Sequence, residues 1–276
     1  MKKAKICFLL ILLLTMYITI ASKAPHEPEP ITILMYHHLT IDDTETNTET
    51  ISEQKFRKDM EYLRRHHYET LLPNELMEIL SGKSEWPKRA VVISFDDGYE
   101  SNYSIAFPIL KKNGCHAVIA LITSNIRNGD NGNPFFLSWE EVEDMSGSGW
   151  VSFGSHSDNL HNPDNKGIGR TDPGAVNGVQ RLPNETEQEY QQRVGVDIQR
   201  SCSLIESHTG KQVLWFAYPY GTGDFWCEKI LDALNIPISV LTTPGTIHTK
   251  GTQRALPRYA VKEDTDLAAL LSRSNK

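Results

Sequence analysis

Short apolar runs alternate along the chain with longer segments in which apolar residues recur every three or four positions. The short runs predict strands over residues 31–36, 90–95, 117–122, 150–153, 213–218 and 238–241. The longer segments predict helices over residues 52–66, 73–80, 101–112, 138–145, 185–208, 225–234 and 265–272. This alternation predicts an α/β fold, and about seven parallel strands separated by helices favour a distorted (β/α) barrel over an open sheet.

Residues 1–24 have a different pattern from the rest of the chain. Lys2, Lys3 and Lys5 precede a run over residues 6–20 that is almost wholly apolar. A run of about 15 residues suits the apolar region of a signal peptide and falls short of the roughly 20 that a membrane span needs. We therefore predict export and a secreted or extracellular location, with retention by residues 6–20 as an N-terminal membrane anchor as the alternative.

Residues 25–30 are predicted to be a linker, and residues 31–276 a single folded domain. The linker holds three prolines, which fix φ and remove hydrogen-bond donors. Within the domain, residues 162–184 contain 13 Gly, Pro, Asn or Asp residues in 23 positions and predict a long surface loop. Because this loop follows His161 directly, we expect either that it borders a functional site or that it is an insertion without a role.

Composition and charge limit the functional classes. Hydrophobic residues make up 39% and charged residues 23% of the 276 residues, which is the balance of a folded globular protein. The net charge of −7 provides no basic surface for nucleic acid, so no nucleic-acid partner is expected. We also expect the protein to be a monomer. Three cysteines follow the N-terminal segment, too few for a disulfide scaffold, although a single disulfide bridge is possible. No two of them have the spacing of metal ligands. Metal ligands should therefore be sought among His and Asp.

Paired carboxylates follow the most apolar of the predicted strands. Asp96 and Asp97 come directly after the run over residues 90–95. In α/β barrels the loops at the carboxyl ends of the strands form the active face, and adjacent carboxylates there are unfavourable unless they bind a cation or share a proton. Asp-Asp-Gly is also a common turn sequence, so this pair alone leaves a structural role open.

Three further polar segments also follow predicted strands. His156 and His161 are five residues apart, which does not fit one helical face but lets both rings meet one ion in a loop. Two His and one carboxylate, with coordination positions left open, are typical of catalytic rather than structural zinc sites. The other two segments are Tyr36-His37-His38 and Tyr218-Pro219-Tyr220-Gly221. A histidine can act as a general acid, and a backbone N–H held in a turn can stabilise an oxyanion.

Taken together, these segments resemble the polysaccharide deacetylases with a NodB homology domain, carbohydrate esterase family 4. Ser94-Phe95-Asp96-Asp97-Gly98 is similar to the family's first motif, Thr-Phe-Asp-Asp-Gly, and His156 to His161 is similar to the second. The five-residue histidine spacing and the N-terminal Tyr-His resemble the branch with the biofilm poly-N-acetylglucosamine deacetylases. The segment from Tyr218 to Gly221 resembles the third motif without its Arg, and the resemblance as a whole spans residues 31–261, which identifies residues 31–276 as the deacetylase domain.

The resemblance implies a role for each matching residue. The implied roles are Asp96 as the catalytic base, Asp97, His156 and His161 as metal ligands, His37 as the catalytic acid with His38 as the fallback, and the Tyr220 backbone N–H as the oxyanion donor. Leu256-Pro257-Arg258-Tyr259 resembles the family's late Leu-Pro-Arg segment, so Arg258 is assigned to orient Asp96 in place of the missing Arg. The expected metal is Zn²⁺, with Co²⁺ or Ni²⁺ as alternatives.

We therefore expect hydrolysis of N-acetyl groups in an N-acetylglucosamine polymer, either an exopolysaccharide or peptidoglycan, with release of acetate. The alternatives are an O-acetyl esterase on a glycan, a catalytically inactive glycan-binding protein and a barrel glycosidase. A glycosidase needs two carboxylates about 5–10 Å apart on opposite sides of the bond, which adjacent Asp96 and Asp97 fit poorly. Exposed aromatic side chains at the rim could stack on sugar rings. Trp139, Trp215 and Trp226 are the candidates, although core packing is the expected role of at least two of them.

Overall fold

Parallel strands form one curved sheet at the centre of the molecule. The computed structural model describes residues 29–129, 131–161 and 178–273. The strands in the described residues are β1 Thr32–Tyr36, β2 His38–Thr40, β3 Thr50–Ser52, β4 Glu69–Thr70, β5 Ala90–Phe95, β6 Ala117–Leu121, β7 Val151–Ser155, β8 Trp215–Ala217, β9 Ile238–Val240 and β10 Tyr259–Ala260. Seven parallel strands follow one another in the order β10-β1-β5-β6-β7-β8-β9, and the sheet curls through 245°. The predicted α/β barrel with about seven parallel strands is confirmed.

Helices cover the outside of the sheet and connect its strands. They are α1 Glu53–Arg65, α2 Pro73–Leu80, α3 Phe107–Asn113, α4 Trp139–Gly147, α5 Glu187–Tyr190, α6 Val196–Thr209, α7 Phe225–Ala233 and α8 Leu267–Arg273. Two of the predicted helices contain a π-helical stretch, at Asn102–Ala106 before α3 and at Gln191–Gly195 between α5 and α6. Apolar periodicity does not distinguish such a stretch from an α-helix, because one wider turn shifts the apolar face by a single residue.

The core has two layers, one inside the curved sheet and one between the sheet and the helices. Side chains alternate along β5, so that Val92 lies in the inner cluster while Val91 and Ile93 pack in the outer one. Trp215 on β8 is fully buried in the inner cluster. Since the interior is filled with side chains, functional groups can gather only where the strands end.

A segment near the end of the domain closes the gap between β9 and β1. The Ser239 N–H donates to the Gln253 carbonyl at 3.1 Å, and the Leu241 N–H donates to the Leu256 carbonyl at 2.9 Å. Six residues beyond the first of these carbonyls the chain enters β10, which pairs in parallel with β1. This route carries the intervening Arg258 into the interior, where it is fully buried.

Several local expectations need correction or cannot be compared. The short strands β2 and β3, which pair in parallel, were not predicted. The predicted signal segment, most of the linker and residues 162–177 of the predicted long loop lie outside the described residues; of the rest of that loop, Val179 is buried. Cys115, Cys202 and Cys227 are free thiols. Among the described residues, no helix is long and apolar enough to span a membrane.

Candidate active site

A cavity of about 530 Å³ lies at the carboxyl ends of the central strands. Six of the seven predicted site residues line it, namely His37, Asp96, Asp97, His156, His161 and Tyr220. The seventh, Arg258, lies behind the cavity wall and contacts Asp96. These residues meet because β1, β5, β7 and β8 run in the same direction, so that the segments following them emerge at one rim.

A strained turn after β5 presents Asp97 to the cavity. Asp97 has a φ of 74°, in the left-handed region that residues other than glycine seldom adopt, and its side chain is buried. Gly98 follows with a φ of 80°, and a Cβ atom there would come within 2.8 Å of the Leu121 side chain. The turn therefore depends on glycine at position 98, and it directs the carboxylate of Asp97 to within 3.5 Å of Nε2 of His156.

His156 is held in one orientation by the end of the neighbouring strand. Its Nδ1 lies 2.7 Å from the Ala217 carbonyl oxygen. Because a carbonyl only accepts hydrogen bonds, Nδ1 must carry a proton, and Nε2 is the ring nitrogen that faces Asp97. The ring of His161 lies 4.7 Å from that of His156 and stacks on Tyr220 at 4.2 Å. Burial, and then the neighbouring His156, lower the pKa of His161 to about 4, so that its imidazole is neutral near pH 7.

Asp97, His156 and His161 have the donor set and arrangement of a divalent-cation site. One potential ligand atom from each residue lies within 4.8 Å of the other two. Among the described residues, Oδ1 of Asp97 is buried without a hydrogen-bond partner, which is unfavourable unless a cation compensates it. Two imidazoles and one carboxylate are a donor set that suits zinc and similar metals and leaves positions for other ligands. The residues present therefore fit a catalytic metal.

Asp96 is locked in place by Arg258. Its two carboxylate oxygens accept hydrogen bonds from Nη1 and Nη2 of Arg258 at 2.8 and 2.7 Å. Arg258 is itself oriented, because its Nε donates to the Leu241 carbonyl at 2.8 Å. Burial by itself would raise the pKa of Asp96, but the charge of Arg258, helped by His156 and His37, holds that pKa well below its usual range. Asp96 is therefore ionised and fixed in orientation beside the three candidate ligands.

The two N-terminal histidines occupy different environments. His37 lines the cavity and contributes to lowering the pKa of Asp96. His38 begins β2 and packs between Tyr99 and Phe135, with ring centroids 5.3 and 4.7 Å away. Burial lowers the pKa of His38. Of the two, His37 is the one whose position allows contact with a group bound in the cavity.

The turn after β8 forms part of the cavity wall. Tyr220 adopts a left-handed φ of 59° within the 3₁₀ turn Pro219–Gly221. The turn is tied back to the sheet, since the Tyr218 N–H donates to the Val240 carbonyl at 3.2 Å. The phenol of Tyr218 donates to Glu228, which also accepts from Ser239. The turn is thus supported by groups behind the cavity.

The aromatic residues that line the cavity are not the three tryptophan candidates, and the core packing expected for at least two of those tryptophans is confirmed. Trp139 and Trp215 are buried in the core, and Trp226 packs against Tyr190 and Arg181. The aromatic side chains that line the cavity are Tyr99, Phe136, Tyr218 and Tyr220. Tyr99 stands directly after Asp-Asp-Gly, and its position in that turn is the signal by which it could have been found.

Comparison with known proteins agrees with this geometry. The sequence profile described as "Polysaccharide deacetylase" matches residues 83–237, more than half of the chain. The chain belongs to the polysaccharide deacetylase family. It is accordingly a hydrolase that acts on carbon–nitrogen bonds other than peptide bonds.

Relatives and solved structures extend the match beyond the profile. A Bacillus subtilis (strain 168) protein, YxkH, is 28% identical over 236 residues, 85% of this chain and 72% of that protein. The poly-beta-1,6-N-acetyl-D-glucosamine N-deacetylase of Staphylococcus epidermidis is 28% identical over 174 residues, 62% of this chain and 54% of that protein. The chain thus spans about half the length of the staphylococcal relative. The structure of IcaB from Ammonifex degensii superposes with a TM-score of 0.72 at 23% identity, covering 91% of this chain and 99% of the other, and shows the same fold.

Proposed function

We propose that this polysaccharide deacetylase is exported and hydrolyses N-acetyl groups of poly-N-acetylglucosamine with the help of a bound divalent metal. The observation that carries the proposal is the pairing of two constellations in one cavity. Asp97, His156 and His161 converge within 4.8 Å, and beside them an ionised Asp96 is fixed by Arg258. One constellation can hold a cation, and the other can accept a proton.

The three converging residues would hold the metal, and Zn²⁺ fits their donor atoms best. When bound, such a cation polarises a carbonyl group and lowers the pKa of water from about 16 towards about 7. The protonated Nδ1 of His156 orients the ring, so that Nε2 is the donor atom. His161 and Asp97 would supply the other two protein ligands, and the buried Oδ1 of Asp97 would gain the partner that it lacks among the described residues.

Asp96 would accept the proton of the attacking water. A carboxylate with a lowered pKa is a weak base, so this step relies on the water having been made more acidic. Arg258 would keep Asp96 ionised and would prevent it from turning away from the water. The role proposed from the late Leu-Pro-Arg segment thus has a direct contact to support it.

The oxyanion and the leaving amine require two further groups. The backbone N–H of Tyr220 is proposed to stabilise the developing oxyanion, a contribution that in other enzymes is about 3–4 kcal/mol. His37 is proposed to protonate the departing amine, because a neutral amine leaves far more readily than an amide anion. Both residues line the same cavity as Asp96.

The polymer and the location follow from different observations. Support for a β-1,6-linked N-acetylglucosamine polymer comes from the activity for which the staphylococcal relative is named. Support for export comes from the three lysines and the apolar run over residues 6–20, and residues 1–24 are proposed as a signal peptide, 25–30 as a linker and 31–276 as the catalytic domain. The chain is proposed to act as a monomer.

Release of acetate together with the appearance of free amine groups on N-acetylglucosamine oligomers tests this function. The full-length protein is assayed with β-1,6-linked oligomers, chito-oligomers and peptidoglycan, with added Zn²⁺ and with chelator. Asp97→Asn serves as the inactive variant, because it removes the anionic ligand at almost constant volume. Equal amounts of acetate and new amine, lost with chelator and in the variant, are the expected result.

Two other outcomes would overturn parts of the proposal. Acetate released from an O-acetylated glycan without any new amine would identify an O-acetyl esterase. Activity on peptidoglycan alone would leave the N-deacetylase chemistry in place and change the polymer. A folded, metal-loaded protein that releases no acetate from any of these substrates would refute the catalytic proposal.

A further inference from the structure

The loop between the two candidate histidine ligands is built in an unusual way. Ser157 adopts a left-handed φ of 80°. The Ser157 N–H donates to Oγ of Ser155, and the Leu160 N–H donates to Oγ of Ser157, both at 3.1 Å. These two bonds tie down the ends of the loop and leave the N–H groups of Asp158 and Asn159 at its tip.

Asp197 takes both of these remaining N–H groups. Its Oδ1 accepts from the Asp158 N–H at 2.8 Å, and its Oδ2 accepts from the Asn159 N–H at 2.9 Å. Hydrogen bonds to an ionised acceptor are stronger than those between neutral groups, and two parallel bonds fix orientation as well as distance. The carboxylate on α6 therefore clamps the tip of the loop that separates His156 from His161.

Helix capping does not account for this carboxylate. Asp197 is the second residue of α6, but the helix continues from the π-helical stretch Gln191–Gly195, and Gly195 has α-helical dihedral angles. The first turn of α6 is therefore not a free helix end that needs a side-chain acceptor. The carboxylate instead points to a neighbouring segment 38 or 39 residues earlier in the chain.

Burial of the Asp197 carboxylate is unfavourable, and its hydrogen bonds to the loop offset this. Burial raises the pKa of Asp197 to about 6, and the two backbone N–H groups act in the opposite direction. The nearby Arg200 pairs with Asp158 at 3.2 Å, and its side chain is 70% exposed. Backbone donors of the loop thus provide the close contacts that compensate the charge of Asp197.

We propose that Asp197 is a positioning residue that sets the separation of His156 and His161 before a divalent cation binds. The inference rests on the proposed function, since it takes those two histidines as ligands. A five-residue spacing leaves the second imidazole at the end of an irregular loop, where its position is not fixed by helical geometry. Clamping the tip of the loop removes that freedom in advance, so that less conformational entropy is lost when the cation binds.

Metal affinity of the full-length protein tests the inference without relying on turnover. Zn²⁺ dissociation constants are measured by competition with a chromophoric chelator for the wild type and Asp197→Asn, in which one acceptor is replaced by an amide donor. Groups that orient metal ligands typically change affinity by 10–100-fold, and we expect a weakening in that range. The visible spectrum of the Co²⁺-loaded variant should also broaden or shift, because the second imidazole is less well placed.

Glu206→Gln provides the matched control on the same helix. Oε1 of Glu206 accepts from the Val213 N–H at 3.0 Å, a carboxylate-to-backbone contact at the other end of α6 from Asp197. We expect this variant to bind Zn²⁺ like the wild type, with a comparable loss of thermal stability. A Zn²⁺ affinity of Asp197→Asn within threefold of the wild type, or equal weakening in both variants, would overturn the inference.

A second measurement covers the case in which Asp197→Asn does not fold. Amide hydrogen exchange of the metal-free wild type should show the N–H groups of Asp158 and Asn159 protected against exchange, since both are donors to Asp197. Exchange of these two amides at the rate of an unstructured loop would refute the clamp. If the wild type itself binds no Zn²⁺, it is the proposed metal site that fails, and protection of the amides still reports on the loop.

Discussion

Replacing Arg258 with Met should expose how the buried Asp96 is stabilised. Arg258 is fully buried and Asp96 is only 2% exposed, so the substitution leaves a carboxylate in the interior without its cation. Breaking a buried ion pair by removing one partner destabilises proteins by about 3–5 kcal/mol, because the remaining charge is uncompensated. Total stabilities are about 5–15 kcal/mol, so a large share of the stability should be lost.

The loss should depend on pH with a defined sign. In the wild type the pKa of Asp96 is lowered in the folded state, so its stabilising contribution is complete above the ordinary value of 3.8 and is lost as the pH falls below it. In Arg258→Met, burial acts unopposed and raises that pKa, so the penalty is greatest near neutral pH and disappears when the carboxylate is protonated. The difference in unfolding free energy between the two proteins should therefore shrink on acidification.

Urea unfolding of the metal-free proteins between pH 4 and 8 measures this difference. Arg254→Met is the matched control. The Arg254 side chain pairs with Glu228 and Asp232 and is 25% exposed. Ion pairs that are partly exposed contribute about 0–1 kcal/mol to stability. Adding Asp96→Asn to Arg258→Met should restore most of the stability, since no buried charge remains. A loss below about 1 kcal/mol at pH 7, or a loss independent of pH, would refute the argument.

Three further predictions concern the catalytic acid, the strand contact and the thiols. His37→Gln should lower kcat about 10²–10⁴-fold while His38→Gln stays within a few-fold of the wild type in the acetate assay, and equal losses would contradict the assignment. Gly154→Ala places a Cβ atom 2.7 Å from the Trp215 carbonyl oxygen and should cost about 1–3 kcal/mol in thermal unfolding; an unchanged Tm would count against the close strand contact. Burial raises the pKa of Cys202 to about 12, so thiol reagents at pH 8 should label it only after denaturation, as checked by peptide mass mapping.

The rim of the fold could be predicted from the sequence because parallel strands share a direction. Once the apolar runs before Asp96 and His156 are recognised as strands of one parallel sheet, the polar residues that follow must emerge on the same side. The position of His37 follows by the same rule from β1. The residue types in the turn predict less of the site, since nothing in the sequence indicates that Asp97 would adopt a positive φ.

The hydrophobic pattern of the sequence does not predict contacts between residues that lie far apart in the chain. Asp197 binds backbone N–H groups, and no residue type in the loop identifies an acceptor 38 or 39 residues away. Arg258 was connected with Asp96 only through the resemblance to the family, because a single Arg near the end of the domain has no periodic signature. Two of the three tryptophans fill the core as expected, but the sequence does not identify the aromatic residues of the rim, because large aromatic side chains also fill the layers on either side of the sheet.

The closure of the barrel by the segment from Gln253 to Ala260 affects the order in which the parts of the site can form. The three candidate ligands lie between positions 97 and 161, so ribosomal synthesis delivers them early. The guanidinium that fixes Asp96 is 162 positions further along the chain, and contacts over such separations form late because loop closure costs entropy. A newly made chain would thus acquire the capacity to hold a cation before it acquires a correctly held base, and hydrolysis would begin only when the last strand is in place.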